Sequence, residues 1–215
     1  MKQEGGWDRE LHAAFRAAWL AGERVMQDFG GEHEVVEKSP DQPVTPADLD
    51  ADRILHESLG RATPGYGWLS EESADRPDRL EAERVWIVDP IDGTSSYIVG
   101  RPEFAISVGL AERGTAVVGV VYNPATREVY WAVRGSGAFM GTLEPAGPRT
   151  ATRLSVTDRA TADHVVMLAS RSEIAAGEFD PFHGGWRVLP TGSTAYKLAK
   201  IAAGEGAVFL SPGPK

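Results

Sequence analysis

Between Trp7 and Phe29, apolar or small residues recur at Leu11, Phe15, Ala18, Gly22, Val25 and Phe29, in alternating steps of four and three. That spacing winds one apolar stripe along a helix, which Gly30-Gly31 ends. From Gly31 to Pro43 the periodicity gives way to what reads as an exposed, charged connection containing Lys38. A second helix opens at V-T-P-A-D, Val44 to Asp48. Thr45 suits the N-cap and Pro46 the first helical position, and Asp48, three residues after the cap, can reach back to it. The pattern carries this helix to about Leu59, ahead of Gly60 and Pro64.

The period then shortens to that of strands. Gly67 to Ser70 is a short apolar strand that runs into Glu71-Glu72, and Asp75 to Arg84 is a charged surface loop or helix. Val85 to Val88 is a buried strand that empties into D-P-I-D-G-T, Asp89 to Thr94. Pro90 has no N–H and is expected to stop the ladder, leaving Asp89 at the strand mouth with Asp92 one tight turn away. Phe104–Glu112, Ala116–Tyr122 and Glu128–Val133 read as an antiparallel meander, followed by a turn at Gly135 and Gly137 and a Gly/Pro-rich connector from Gly141 to Arg149.

The last third changes character. Strands at His164–Ala169 and Trp186–Leu189, a helix at Thr194–Ala203 and a strand at Ala207–Leu210 imply a crossover unit, with ligands expected beyond the carboxyl ends of the strands. Gly192-Ser193, ahead of that helix, offers N–H groups to an anion. The chain divides on this reading into an α+β half, 1–150, and an α/β half, 151–215.

Composition adds limits. The 215 residues are 42% hydrophobic and 25% charged, which describes a folded chain rather than a disordered one. A net charge of -9 argues against a nucleic acid polymer as partner. No cysteine is present, so disulfides and thiolate chemistry are excluded. No apolar leader and no run of about 18 apolar residues stands out, so no membrane is expected and the cytoplasm is the default address.

The candidate chemistry lies in the acidic turn. Two carboxylates about 4 Å apart repel by on the order of 4 kcal/mol at an effective dielectric near 20, so a cation is expected between Asp89 and Asp92. Gly93 permits a tight turn, Thr94 adds a hydroxyl, and hard oxygens with a turn carbonyl suit magnesium. Glu71 or Glu72 completes the cluster if the two acidic strands are neighbours. The histidines at 12, 33, 56, 164 and 183 show no ligand spacing and read as surface or satisfied core groups.

Taken in order, T-P-A-D (45–48), S-E-E-S (70–73), D-P-I-D-G-T (89–94) and G-S-T-A (192–195) resemble the inositol monophosphatase superfamily of magnesium-dependent, lithium-sensitive phosphatases, from about Leu11 onward. The resemblance implies a layered α/β/α/β/α sandwich. It also implies two or three Mg2+ ions, with Glu71, Asp89 and the Ile91 carbonyl at the first and Asp89 with Asp92 at the second. Asp48 and Thr94 would activate water with Glu72 in support, and phosphate would lie against Gly93 and Thr94. Ser170-Arg171-Ser172 resembles part of the serine-rich motif of the bisphosphate nucleotidases, with Glu173 in place of a histidine, and Ser211 stands where inositol-specific members use an acid. Family members continue into a Trp-Asp pair whose Asp ligates the second metal, whereas this sequence stops at Lys215. Either the chain is shortened and binds magnesium poorly, or the intact protein is longer. A homodimer is compatible with the family.

The expectation is a magnesium-dependent phosphomonoesterase acting on a small phosphorylated metabolite, with Ser170, Arg171, Gly192 and Ser193 added to the substrate contacts. Inositol monophosphate or a related sugar phosphate is the first substrate, and 3′-phosphoadenosine 5′-phosphate the alternative. A non-catalytic phosphometabolite-binding protein is the reading of another class. An aspartyl-nucleophile phosphatase would need D-x-D-G-T, one residue shorter than the motif here.

Overall fold

The stripe along the first helix is buried as its spacing requires: in α1 (Asp8–Asp28), Phe15, Ala18, Gly22 and Val25 face the interior. The computed structural model describes residues 6–32, 34–39, 42–157, 165–182 and 185–211. The stretch read as a charged connection contains a small antiparallel hairpin, β1 (Val36–Ser39) and β2 (Gln42–Val44). Its charged side chains hid the strand alternation. α2 (Pro46–Ala62) starts with the expected capping box between Thr45 and Asp48. It runs through Gly60, since one glycine weakens a helix interior by only about 1 kcal/mol, and closes where Thr63 bonds back to the Leu59 carbonyl.

β3 (Gly67–Ser70) follows, then a 3₁₀ turn at Pro77–Leu80, β4 (Arg84–Asp92) and the short α3 (Thr94–Ile98). The meander is present as β5 (Ala105–Glu112), β6 (Thr115–Asn123) and β7 (Glu128–Val133), and continues into β8 (Gly137–Glu144), β9 (Gly147–Pro148) and β10 (Thr152–Arg153). The expected connector at Gly141 is therefore strand. A Cβ there would overlap the Thr150 carbonyl, so glycine serves a close backbone approach rather than a turn.

The remaining elements are β11 (Val165–Ala169), α4 (Arg171–Ala175), a 3₁₀ turn at Asp180–Phe182, β12 (Trp186–Pro190), α5 (Thr194–Ala202) and β13 (Val208–Phe209). In the larger sheet the strands run β10-β8-β7-β6-β5-β4-β3, with β9 beside β8. Alternation sorts its faces. Ile106, Val108 and Leu110 of β5 pack with Phe15 and Val25 of α1 and with Leu55 and Leu59 of α2. Ala105 and Tyr130 face the other way, onto Tyr196 and Ala199 of α5.

α5 also meets the smaller parallel sheet, ordered β12-β11-β13, where the Lys197 ammonium lies 4.7 Å from the Phe209 ring centre. The far face of that sheet, with Met167, Ala169 and Val208, is covered by Ile174, Phe179 and Phe182. The layers are thus helix, sheet, helix, sheet and a short helical cover, as the resemblance implied. No helix among the described residues is long and apolar enough to cross a membrane. Of the histidines, His12 contacts the Asp8 carbonyl and His56 packs on Trp68, while His33, His164 and His183 lie outside the described residues.

Candidate active site

β3 and β4 are parallel neighbours with Ser70 beside Val88, so Glu71-Glu72 and Asp89 leave their strands at one end of the sheet. Pro90 does not stop the ladder. Asp89 pairs with Ser107 and Asp92 with Ala105, so two residues on β4, Pro90 and Ile91, oppose one on β5, Ile106, in a bulge. A bulge is a place where a proline's missing N–H costs no ladder bond. It buries Ile91 and leaves Asp89 and Asp92 flanking it.

Gly93 follows with φ of 99°. A Cβ there would lie 3.1 Å from the Glu103 carbonyl and 3.2 Å from the Ser193 nitrogen, so conformation and space both call for glycine. α3 starts at the next residue and holds the Thr94 hydroxyl 3.0 Å from Asp48 Oδ1 and 2.9 Å from the Ile91 carbonyl oxygen. With one proton, the hydroxyl donates to one of them at a time. Asp48 Oδ2 accepts from the Thr45 N–H at 2.8 Å and its hydroxyl at 2.6 Å. The capping box and the bond to Thr94 thus use different oxygens of one fully buried carboxylate.

The electrostatics are uneven. Burial, then the charges of Asp92 and Glu71, push the Asp89 carboxyl far above the usual carboxylate range. Burial also raises Asp48, against the opposing pull of its bonds from Thr45 and Thr94. Burial raises Glu72 as well, opposed by Lys38. Lys38 of the unexpected hairpin places its ammonium 2.6 Å from Glu72 and 3.8 Å from Glu71. Glu72 is almost wholly covered and Glu71 half exposed, so the adjacent acids do face differently.

Asp92 has a second set of partners. Its Oδ2 accepts from the Ser193 hydroxyl at 2.6 Å and the Ala195 N–H at 2.5 Å. Of the N–H groups at the start of α5, expected to be open to an outside anion, that of Ala195 goes to Asp92 and that of Tyr196 to the Ser193 hydroxyl, and the Gly192 N–H donates to Glu103 at 3.1 Å. Gly93, Ser170, Arg171, Gly192 and Ser193, with Arg101, line one cavity of about 200 Å³. Hollows of about 430 and 540 Å³ elsewhere contain none of the expected site residues.

Among the described residues, no three Asp, Glu, His or Cys side chains are gathered closely enough to hold a metal ion. Asp92 is turned toward α5 and Glu71 and Glu72 toward Lys38. The donor chemistry nonetheless fits a hard divalent cation: the candidate ligands are all oxygens, and Asp89 is raised by its acidic neighbours in a way a bound cation would reverse.

Three participants were not found from sequence. Lys38 had only a weak alternating pattern to announce it, and Glu103 had no local signal. Lys197 had one, a lysine set among the small and apolar residues of α5; it is fully buried with its ammonium 2.6 Å from Ser170 Oγ.

The sequence profile of the inositol monophosphatase family matches residues 7–215. An inositol-1-monophosphatase of Mesorhizobium japonicum is 35% identical over 213 residues, covering 94% of this chain and 76% of that protein. The 3′(2′),5′-bisphosphate nucleotidase CysQ of Salmonella typhimurium is 32% identical over 207 residues, covering 95% and 81%. Among solved structures, the extragenic suppressor protein SuhB of Bartonella henselae superposes with a TM-score of 0.79 at 31% identity, covering 90% of this chain and 74% of that one.

Proposed function

Because the chain belongs to the inositol monophosphatase family, we propose that it is a magnesium-dependent, lithium-sensitive phosphomonoesterase acting on inositol monophosphate or a related sugar phosphate. The observation that carries this reading is the carboxylate set itself: Asp89 is raised by burial, Asp92 and Glu71, a few residues from a hydroxyl held by Asp48.

Glu71, Asp89 and the Ile91 carbonyl would hold one magnesium ion, and Asp89 with Asp92 a second. Bound magnesium supplies neutralisation of the phosphate and a lowered pKa for water. The remaining work belongs to the chain. Asp48 takes the Thr94 hydroxyl proton in a hydrogen bond, which leaves the Thr94 oxygen lone pairs to orient the attacking water. Glu72, balanced by Lys38, supports that arrangement. Gly93 and Thr94, at the start of α3, have N–H groups without intrahelical partners and would cradle the phosphate. Ser170, Arg171, Gly192 and Ser193 would line the space for the alcohol portion.

The test is phosphate release from inositol 1-phosphate and 3′-phosphoadenosine 5′-phosphate across a magnesium titration, with and without lithium. Lithium-sensitive release, faster from inositol 1-phosphate, is expected. Faster release from the bisphosphate would assign the nucleotidase reaction instead, and no release from either at any magnesium level would favour a binding role.

A further inference from the structure

The pocket beside the acidic site has a guanidinium at its wall, yet that charge is already taken. Arg171 Nη2 donates to Glu103 Oε1 at 2.7 Å, and its Nη1 makes a very short contact with Glu103 Oε2. A two-pronged pair of this kind uses the donor face that a guanidinium otherwise presents to a phosphate. The remaining contact of Nη2 is to the Pro190 carbonyl at 3.2 Å.

Glu103 is placed for this by the backbone around it. Its Oε2 also accepts the Gly192 N–H, and a Cβ at Gly192 would overlap the Glu103 carbonyl and the Ser96 hydroxyl. Gly93 approaches the same carbonyl. Glu103 therefore meets the reaction-centre turn and the loop ahead of α5 together. Two other cations border the pocket. Arg101 is exposed, where water screens it, and Lys197 is buried and reaches the pocket through the Ser170 hydroxyl.

We propose that Glu103 is a specificity-determining residue: by cancelling the charge of Arg171 it shapes the pocket for a neutral, hydroxyl-bearing alcohol and against an alcohol that carries a second phosphate. This deepens the phosphomonoesterase reading and rests on it for the position of the alcohol.

The test is equilibrium binding of inositol 1-phosphate and of 3′-phosphoadenosine 5′-phosphate to the magnesium-loaded protein, with lithium added to suppress turnover. Glu103→Gln keeps an acceptor for Gly192 and removes the charge. It is expected to tighten the bisphosphate about tenfold and to leave inositol 1-phosphate within about twofold, the gain being one freed charge-assisted contact. The Glu103→Gln/Arg171→Ala double variant should lose that gain. That double variant, which carries neither charge, should also keep the parental preference between the two ligands, which tests the idea even if Glu103→Gln alone does not fold.

An unchanged preference in Glu103→Gln, a gain that survives in the double variant, or a selective loss of the bisphosphate in the double variant would each overturn the proposal. Lithium-sensitive phosphate release without the shift in preference would remove this inference and leave the reaction standing. The shift without any phosphate release would do the reverse.

Discussion

Glu10 and Asp89 are both carboxylates withdrawn from water, and their surroundings treat them in opposite ways. Glu10 Oε1 accepts from the Tyr66 hydroxyl at 2.8 Å and Arg9 at 2.9 Å. That hydroxyl in turn accepts from Arg84 at 2.7 Å, and Arg84 pairs with Glu112 and lies over the Trp7 ring. Burial pushes Glu10 up, but its bonds from Tyr66 and Arg9 outweigh this and hold it below its ordinary value. Asp89 has Asp92, Glu71 and Glu72 as neighbours, and everything named in its surroundings raises it. A chain under selection for stability alone would not keep that arrangement. The first cluster ties the start of α1 to Tyr66 and β4, and the second gathers like charges around Asp89.

That contrast breaks most sharply at Asp89. Asp89→Asn is expected to lower phosphate release by on the order of 10³-fold, while thermal unfolding places its stability within about 1 kcal/mol of the parent, because the lost charge was opposed by its neighbours. Asp92 lies between the two regimes, since it faces the acids and also caps α5. Asp92→Asn should therefore cost comparable activity and, in addition, about 1 kcal/mol of stability in a denaturant titration.

On the satisfied side the effects move to stability. Tyr66→Phe leaves buried Glu10 short of a donor and should cost about 1–2 kcal/mol in urea unfolding, with phosphate release at the parental rate. The smallest effect is in pH. The folded pKa of Glu10 lies below its unfolded value, so its contribution is present above about pH 4.5 and lost as pH falls through the folded value. The parent should lose stability over that acid window more steeply than Glu10→Gln, as read from unfolding midpoints between neutral and acid pH.

The parts legible in the sequence were those set by local spacing. The period of α1, the capping box at Thr45, the meander and the acidic motif all depend on residues within a few positions of one another, and the structure contains each of them. What was not legible depends on contacts across long stretches of chain. Lys38 meets Glu72 from a hairpin whose strands carry charges. Pro90 looked like a stop because the bulge that accommodates it is defined by β5. The start of α5 looked open because the partner of its Ala195 N–H, Asp92, lies 103 residues away in the chain. Glu103 sits 68 residues from Arg171, and neither residue signals the other locally.

The most direct measurement is the rise in thermal midpoint on adding magnesium to the metal-free parent, to Asp89→Asn and to Tyr66→Phe, because ligand that binds only the folded state stabilises it. The account predicts that the midpoint rises in the parent and in Tyr66→Phe, from a lower starting value in the latter, and stays flat in Asp89→Asn. A rise of parental size in Asp89→Asn would contradict it, because the cation would then be bound somewhere other than the carboxylates of β3 and β4.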